Sequence, residues 1–137
     1  MGMRILVTGG AGYIGSTVAA QLLDLGHRVV VIDDLRRGHR GAVPERAELV
    51  VGNVGDGQTL ERAFSAEQVD AVMHFAALAE VGESMQIPEI YFHNNTFNTL
   101  RLIEAMFAHG VTKLVFSSTA AVFGSPERSP SEETAPK

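Results

Sequence analysis

The run Thr8-Gly9-Gly10-Ala11-Gly12-Tyr13-Ile14-Gly15 is the stretch of this sequence best suited to chemistry without a charged side chain. It satisfies two glycine spacings at once, Gly10-x-Gly12-x-x-Gly15 and Gly9-x-x-Gly12-x-x-Gly15. Glycines so placed make a tight turn, bring backbone N–H groups close to an anion and let the following helix pack on the preceding strand. The N–H groups and the positive end of that helix then hold a diphosphate. Asp33 follows about 20 residues later, where a carboxylate accepts hydrogen bonds from ribose hydroxyls and repels a 2′-phosphate. Together these residues read as a dinucleotide site that favours NAD over NADP. Arg36 and Arg37 stand just beyond the acid, where arginine can accommodate a phosphate.

Other clusters carry less. Glu80 and Glu83 resemble a carboxylate pair but read as a solvated loop. The segment Arg36-Arg37-Gly38-His39-Arg40 reads equally as a phosphate contact or an exposed loop edge. Five scattered histidines make no metal spacing, and the absence of cysteine excludes disulfides and thiolate sites. A hydrophobic fraction of 45% with 20% charged residues is that of a soluble globular protein. A net charge of −5 offers no basic surface for nucleic acid. No apolar run reaches membrane-spanning length, so no membrane partner is expected. The start Met1-Gly2-Met3-Arg4 lacks a signal-peptide pattern, and Leu6 stands where myristoylation needs Ser or Thr, so a cytoplasmic location is expected.

The elements that must position the glycine run and the acid alternate along the chain. Strands are expected at Arg4–Thr8, Arg28–Asp33, Glu48–Val51, 71–75 and 113–117, as Val- and Ile-rich runs suited to a parallel sheet covered on both faces. Helices are expected at 13–25, carried by Ile14, Val18, Leu22 and Leu25 and ended by Gly26, and at 58–66, capped by Asp56. A long helix is expected over 88–109, opened by Pro88, with Tyr91, Leu100, Ile103, Met106 and Phe107 as a packing stripe. The alternation implies an α/β, Rossmann-type doubly wound parallel sheet of strand order 3-2-1-4-5. Residues 1–124 form the dinucleotide-binding domain, and 125–137, polar and proline-rich, read as a loop or linker.

Five blocks in register carry a family resemblance: TGGAGYIG (8–15), DDLRRGHRGAV (33–43), HFAALAEVGES (74–84), the pair Asn94-Asn95 and FSSTAAVFG (116–124). The chain resembles the N-terminal part of the extended short-chain dehydrogenase/reductases, and within them the NAD-dependent epimerases of the UDP-glucose 4-epimerase type. The resemblance implies NAD as cofactor and a UDP-hexose as substrate in the full enzyme. Hydride would leave sugar C4 for NAD⁺ and return to the opposite face. It places Gly9, Gly12, Tyr13, Ile14 and Gly15 at the diphosphate, and Asp33, Asp34, Leu35 and Gly38 around the adenosine ribose. Asn53 and Val54 would border the adenine, with Asn53 standing where the family usually has Asp and its amide still bonding the adenine amino group. Phe75, Ala76, Ala77, Asn94 and Ser117 would line the cofactor, while Ala79 replaces a common lysine. Thr119 matches the catalytic Ser or Thr whose hydroxyl bonds the reacting sugar oxygen.

The family's base is a tyrosine in a Tyr-x-x-x-Lys pair. The only tyrosines here, Tyr13 and Tyr91, have no lysine at that spacing. The chain is therefore expected to be inactive alone. The nucleotide-sugar dehydratases of the superfamily place an Asp-Glu pair where Ala120 and Ala121 stand. Other epimerases or decarboxylases on this scaffold, and a non-catalytic NAD-binding module, are the alternative readings. In the family, the long helix and the helix after the fifth strand form a dimer interface. Apolar surface along the long helix and at Leu114 and Phe116 is therefore expected to drive self-association or leave the fold marginal.

Overall fold

A computed structural model describes residues 2–119 and 122. The proposed segment 125–137 lies outside them. Five strands form one sheet: β1 (Arg4–Thr8), β2 (Arg28–Asp33), β3 (Glu48–Val51), β4 (Ala71–His74) and β5 (Leu114–Phe116). Their order is β3-β2-β1-β4-β5 and every pairing is parallel, so all five C-terminal ends share one edge. β1 sits at the centre, with Leu6 opposite Val30 on one side and Val72 on the other.

The alternation of side chains along each strand sorts the core into two layers. Ile5, Val7, Val29 and Val31 face α1 (Tyr13–Asp24), while Leu6, Val30, Ile32 and Val72 face α2 (Gly57–Ser65) and α5 (Asn98–Ala108). β1 and β2 are buried on both faces, which explains why they read as unbroken apolar runs rather than alternations. Asp56 caps α2, accepting a hydrogen bond from Thr59 N at 2.8 Å. Gly26, at φ +84, ends the turn after α1, where its N–H bonds Leu23 O and that of His27 bonds Leu22 O.

Two helical stripes differ from expectation. In α1 the buried positions are Gly15, Ala19 and Leu23, whereas Ile14 and Leu25 are exposed and Val18 and Leu22 half-buried. Small residues face the sheet because they let the helix axis approach it closely, and apolar periodicity gives them little weight. The long helix is likewise three pieces: α4 (Pro88–Phe92), a π turn (His93–Phe97) and α5. Tyr91, Asn98, Leu102 and Met106 are buried, Ile103 is half-buried, and Leu100 and Phe107 stand in solvent. The segment carries two apolar stripes, and the one meeting the sheet runs through Leu102. A short helix α3 (Val81–Ser84) and a 3₁₀ turn (Arg40–Ala42) were not anticipated. All three β5 residues are exposed.

Candidate functional site

The shared C-terminal edge of the strands opens into a cavity of about 310 Å³, and the glycine loop is its floor. Different glycines answer different demands there. Gly9 lies at φ +71, and a Cβ on it would stand 2.7 Å from Ala76 N. A Cβ on Gly15 would stand 2.2 Å from Gly9 O, and one on Gly10 2.6 Å from a Val31 methyl. These three are fixed by how the loop folds against β2, the post-β4 segment and itself. Gly12 is not: its backbone is extended at φ −83, and a Cβ would meet only Gly9 O, at 3.3 Å. Gly12 lines the cavity, so its missing side chain leaves room for a ligand rather than for the protein. No side chain caps α1, and its first-turn N–H groups have no intrahelical partners. Such an end suits an anion.

Asp33, at the end of β2, is nearly buried and does two jobs. Oδ2 accepts from Ala11 N at 3.0 Å and Oδ1 from Leu35 N at 2.8 Å, so the carboxylate fastens the glycine loop to the loop after β2. Each oxygen keeps a second lone pair for a ribose hydroxyl. Gly38 is held beside it, where a Cβ would come 2.9 Å from Asp33 Oδ1. Leu35 adopts φ +59, a left-handed conformation costly to a branched side chain. Its N–H is thereby tied to Asp33.

The wall after β3 is built on amides. Asn53 Nδ2 donates to Asp34 Oδ2 at 3.3 Å, and its Oδ1 accepts from Gly55 N at 2.8 Å and Asn98 Nδ2 at 3.0 Å. Both lone pairs of Oδ1 are thus engaged within the protein, so the Asn53 side chain positions Asp34 and the turn to Val54 while the residue lines the cavity.

The opposite wall, Phe75 to Leu78, hangs on two relays. Asn95 clamps Leu78, accepting from its N–H and donating to its carbonyl, both at 2.8 Å. Its neighbour Asn94 lines the cavity and donates to Asn95 Oδ1 at 3.0 Å. Adjacent residues diverge less in a π turn than in an α-helix, which lets both asparagines serve one wall. Below them, His74 Nδ1 lies 2.6 Å from Thr8 Oγ1 and Nε2 lies 2.9 Å from Thr99 Oγ1. The Thr99 hydroxyl donates to Asn95 O at 2.8 Å, so Nε2 carries the proton and Nδ1 accepts from Thr8. Burial pushes the His74 pKa down to about 4, keeping the ring neutral.

Twelve expected site residues meet at this cavity: Gly9, Gly12, Tyr13, Asp33, Asp34, Gly38, Asn53, Val54, Phe75, Ala76, Ala77 and Asn94. Five do not line it. Gly15 packs beneath the loop, Ile14 is exposed on α1, and Leu35 turns the loop. Ser117 continues the β4–β5 ladder through its N–H to His74 O, and Thr119 is exposed on the same strand edge. Sequence reasoning missed His74, Thr99 and Leu78 altogether. A histidine within an apolar strand was the available signal for the first. Glu80, exposed as expected of a solvated segment, and the half-buried Glu83 both hold Arg37 by ion pairs, and Tyr91 donates to Glu83 at 2.5 Å. The Tyr91 bond, followed by the nearby guanidinium of Arg37, draws the Glu83 pKa down, while burial raises that of Tyr91. Among the described residues no helix is long and apolar enough to cross a membrane.

A sequence profile described as the NAD dependent epimerase/dehydratase family matches residues 5–137. A UDP-glucose 4-epimerase from Azospirillum brasilense is 51% identical over 133 residues, covering 97% of this chain and 38% of that protein. UDP-arabinose 4-epimerase 1 from Arabidopsis thaliana is 46% identical over 143 residues, covering 98% and 34%. The solved UDP-glucose 4-epimerase from Thermus thermophilus, in complex with NAD, superimposes with a TM-score of 0.87 at 43% identity, covering 98% of this chain and 44% of that one. The chain thus spans well under half the length of these relatives.

Proposed function

The chain belongs to the NAD dependent epimerase/dehydratase family, and on that premise we propose that it is the NAD-binding part of a UDP-hexose 4-epimerase. The observation that carries this reading is Gly12, a glycine that the chain's own packing does not require, set in the floor of the cavity. The residues present fit the cofactor. First-turn N–H groups of α1 would hold the diphosphate, Asp33 and Gly38 the adenosine ribose, and Val54 the adenine. Phe75, Ala76, Ala77 and Asn94 would line the remainder of the dinucleotide. Bound there, NAD supplies reversible hydride acceptance from sugar C4.

This chain's own contributions are distinct from that step. Asp33 orients the ribose and disfavours a 2′-phosphate. The neutral His74 relay keeps the wall after β4 in place without adding charge. The Thr119 hydroxyl would bond the reacting oxygen of the sugar. A Tyr-x-x-x-Lys base is not among these 137 residues, so the residues here bind and orient rather than abstract the proton. The reading carries with it a UDP-hexose substrate, self-association through the exposed apolar stripe of α5 and β5, and a cytoplasmic setting.

A thermal-shift titration with NAD⁺ and NADP⁺ tests the proposal. Saturation at 100 times the dissociation constant stabilises a fold by about 2.7 kcal/mol. A shift with NAD⁺ that exceeds the shift with NADP⁺ is expected. No shift with either would overturn the reading.

A further inference from the structure

The ribose end of the cavity holds a charge arrangement that the dinucleotide reading leaves without a role. Arg36 and Arg37 both line it, close behind Asp33. An arginine in that place is what lets a related fold accept a 2′-phosphate, so Asp33 by itself does not fix the choice of nucleotide. Arg37, however, is engaged from the opposite wall. Its guanidinium is ion-paired with Glu80 and lies 2.9 Å from Glu83 Oε2. Glu83 is anchored in turn by the hydroxyl of Tyr91, a buried residue of α4, at 2.5 Å. Two carboxylates from the segment after β4 therefore neutralise the guanidinium and tie it to that segment.

We infer that Glu80 and Glu83 are specificity-determining residues, which withhold Arg37 from a ligand 2′-phosphate and, with Asp33, set a preference for NAD over NADP. The inference rests on the dinucleotide reading above. A 2′-phosphate entering this end meets the carboxylate of Asp33 and finds Arg37 already bonded to two more. Removing those two charges leaves Arg37 as an unneutralised cation within reach of the ribose. Exposed ion pairs are individually weak, because solvent screens them and both side chains lose freedom. The expected effect is accordingly a graded change in selectivity rather than an inversion.

Calorimetric dissociation constants for NAD⁺ and NADP⁺ test this on the 137-residue chain, on E80Q/E83Q, on R37A and on the triple variant R37A/E80Q/E83Q. E80Q/E83Q is expected to lower the ratio of the NADP⁺ to the NAD⁺ constant about tenfold, equivalent to about 1.4 kcal/mol, chiefly through tighter NADP⁺. The triple variant is expected to lose that gain. Adenosine 2′,5′-bisphosphate against 5′-AMP should give the same change without a nicotinamide. Should the double variant fail to fold, E80Q alone carries the test, since it leaves the Glu83–Tyr91 bond in place, and a smaller change of the same sign is expected. NAD⁺ binding with an unchanged ratio, or a lowered ratio that persists in the triple variant, overturns the inference alone. Binding of neither nucleotide by the starting chain overturns the dinucleotide reading and this inference with it.

Discussion

Replacing Gly12 and Gly15 separately by alanine should split folding from binding, although both belong to one glycine fingerprint. At Gly15 the new methyl would lie 2.2 Å from Gly9 O, against the 3.4 Å of ordinary contact, so loop and helix must part by about 1.2 Å. Backbone atoms cannot swing aside as a rotamer does, which puts the cost at the upper end of the overpacking range, about 3 kcal/mol. Alanine's better helix propensity offsets about 1 kcal/mol. The net loss of about 2 kcal/mol corresponds to a fall in Tm of about 6–10 °C for a chain of this size. At Gly12 the extended backbone suits alanine, and the one close atom, Gly9 O at 3.3 Å, has to give only slightly. Loss of a favourable cap residue is largely offset by reduced freedom of the unfolded chain, so the ligand-free stability should stay within about 1 kcal/mol. The methyl nevertheless occupies the path by which a diphosphate approaches the loop. A tenfold weaker affinity would cut the stabilisation by NAD⁺, at the concentration that saturates the starting chain, from about 2.7 to about 1.4 kcal/mol. Thermal melts of both variants with and without NAD⁺ read all four quantities. A Gly12→Ala chain with a full NAD⁺ shift, or equal ligand-free losses for the two variants, would refute the division of labour among the glycines.

Asp33→Ala removes a carboxylate that accepts from Ala11 N and Leu35 N, so it should lose about 2–4 kcal/mol even without nucleotide; an unchanged urea midpoint would show the acid to be a ligand contact only. His74 supplies a pH dependence. Its pKa falls from 6.5 to about 4 on folding, so between those values the unfolded chain binds a proton the native chain does not. Stability is therefore fully present above pH 6.5 and is lost as pH falls towards 4, by about 3 kcal/mol in all. Urea midpoints from pH 7 to pH 4.5 should drop less steeply in His74→Gln, and parallel slopes would contradict the assignment. Phe107, Val115 and Phe116 are exposed apolar residues, and sedimentation should show self-association that Phe107→Glu with Val115→Lys abolishes; a monodisperse monomer in the starting chain would count against it.

The strands could be read from sequence almost to the residue because a parallel sheet buried on both faces leaves a signal with no polar interruptions. The burial pattern of β1 and most of β2 shows why, since only Arg28 is exposed. Helix faces were harder. Ala19 is wholly buried while Ile14 and Leu25 are not, because close approach to a sheet selects for small size as well as apolarity. In α5 two apolar stripes compete, and nothing local to the helix says that Leu102 rather than Leu100 meets the core. The backbone-driven part of the site was legible for a similar reason. A glycine spacing and a strand-end acid are local patterns imposed by how a chain must turn around an anion.

What escaped the sequence is the set of side chains whose partners are distant. Asp34 reaches Asn98 through Asn53. Thr8 reaches Thr99 through His74, and Arg37 reaches Tyr91 through Glu83. Each relay has a middle residue whose chemistry is ordinary in isolation: an amide in a turn, a histidine in a strand, a glutamate in a short helix. Each becomes specific only when the 3-2-1-4-5 strand order brings its two ends together. All three run between the strand-end loops and the helical segment that begins at Pro88. They tie the cavity walls together through two uncharged middle residues, Asn53 and His74, and one, Glu83, that is ion-paired with Arg37. An open groove built this way keeps its shape before any nucleotide arrives, and so less ordering has to accompany binding. Breaking the His74 relay should therefore weaken nucleotide affinity even though His74 does not itself line the cavity.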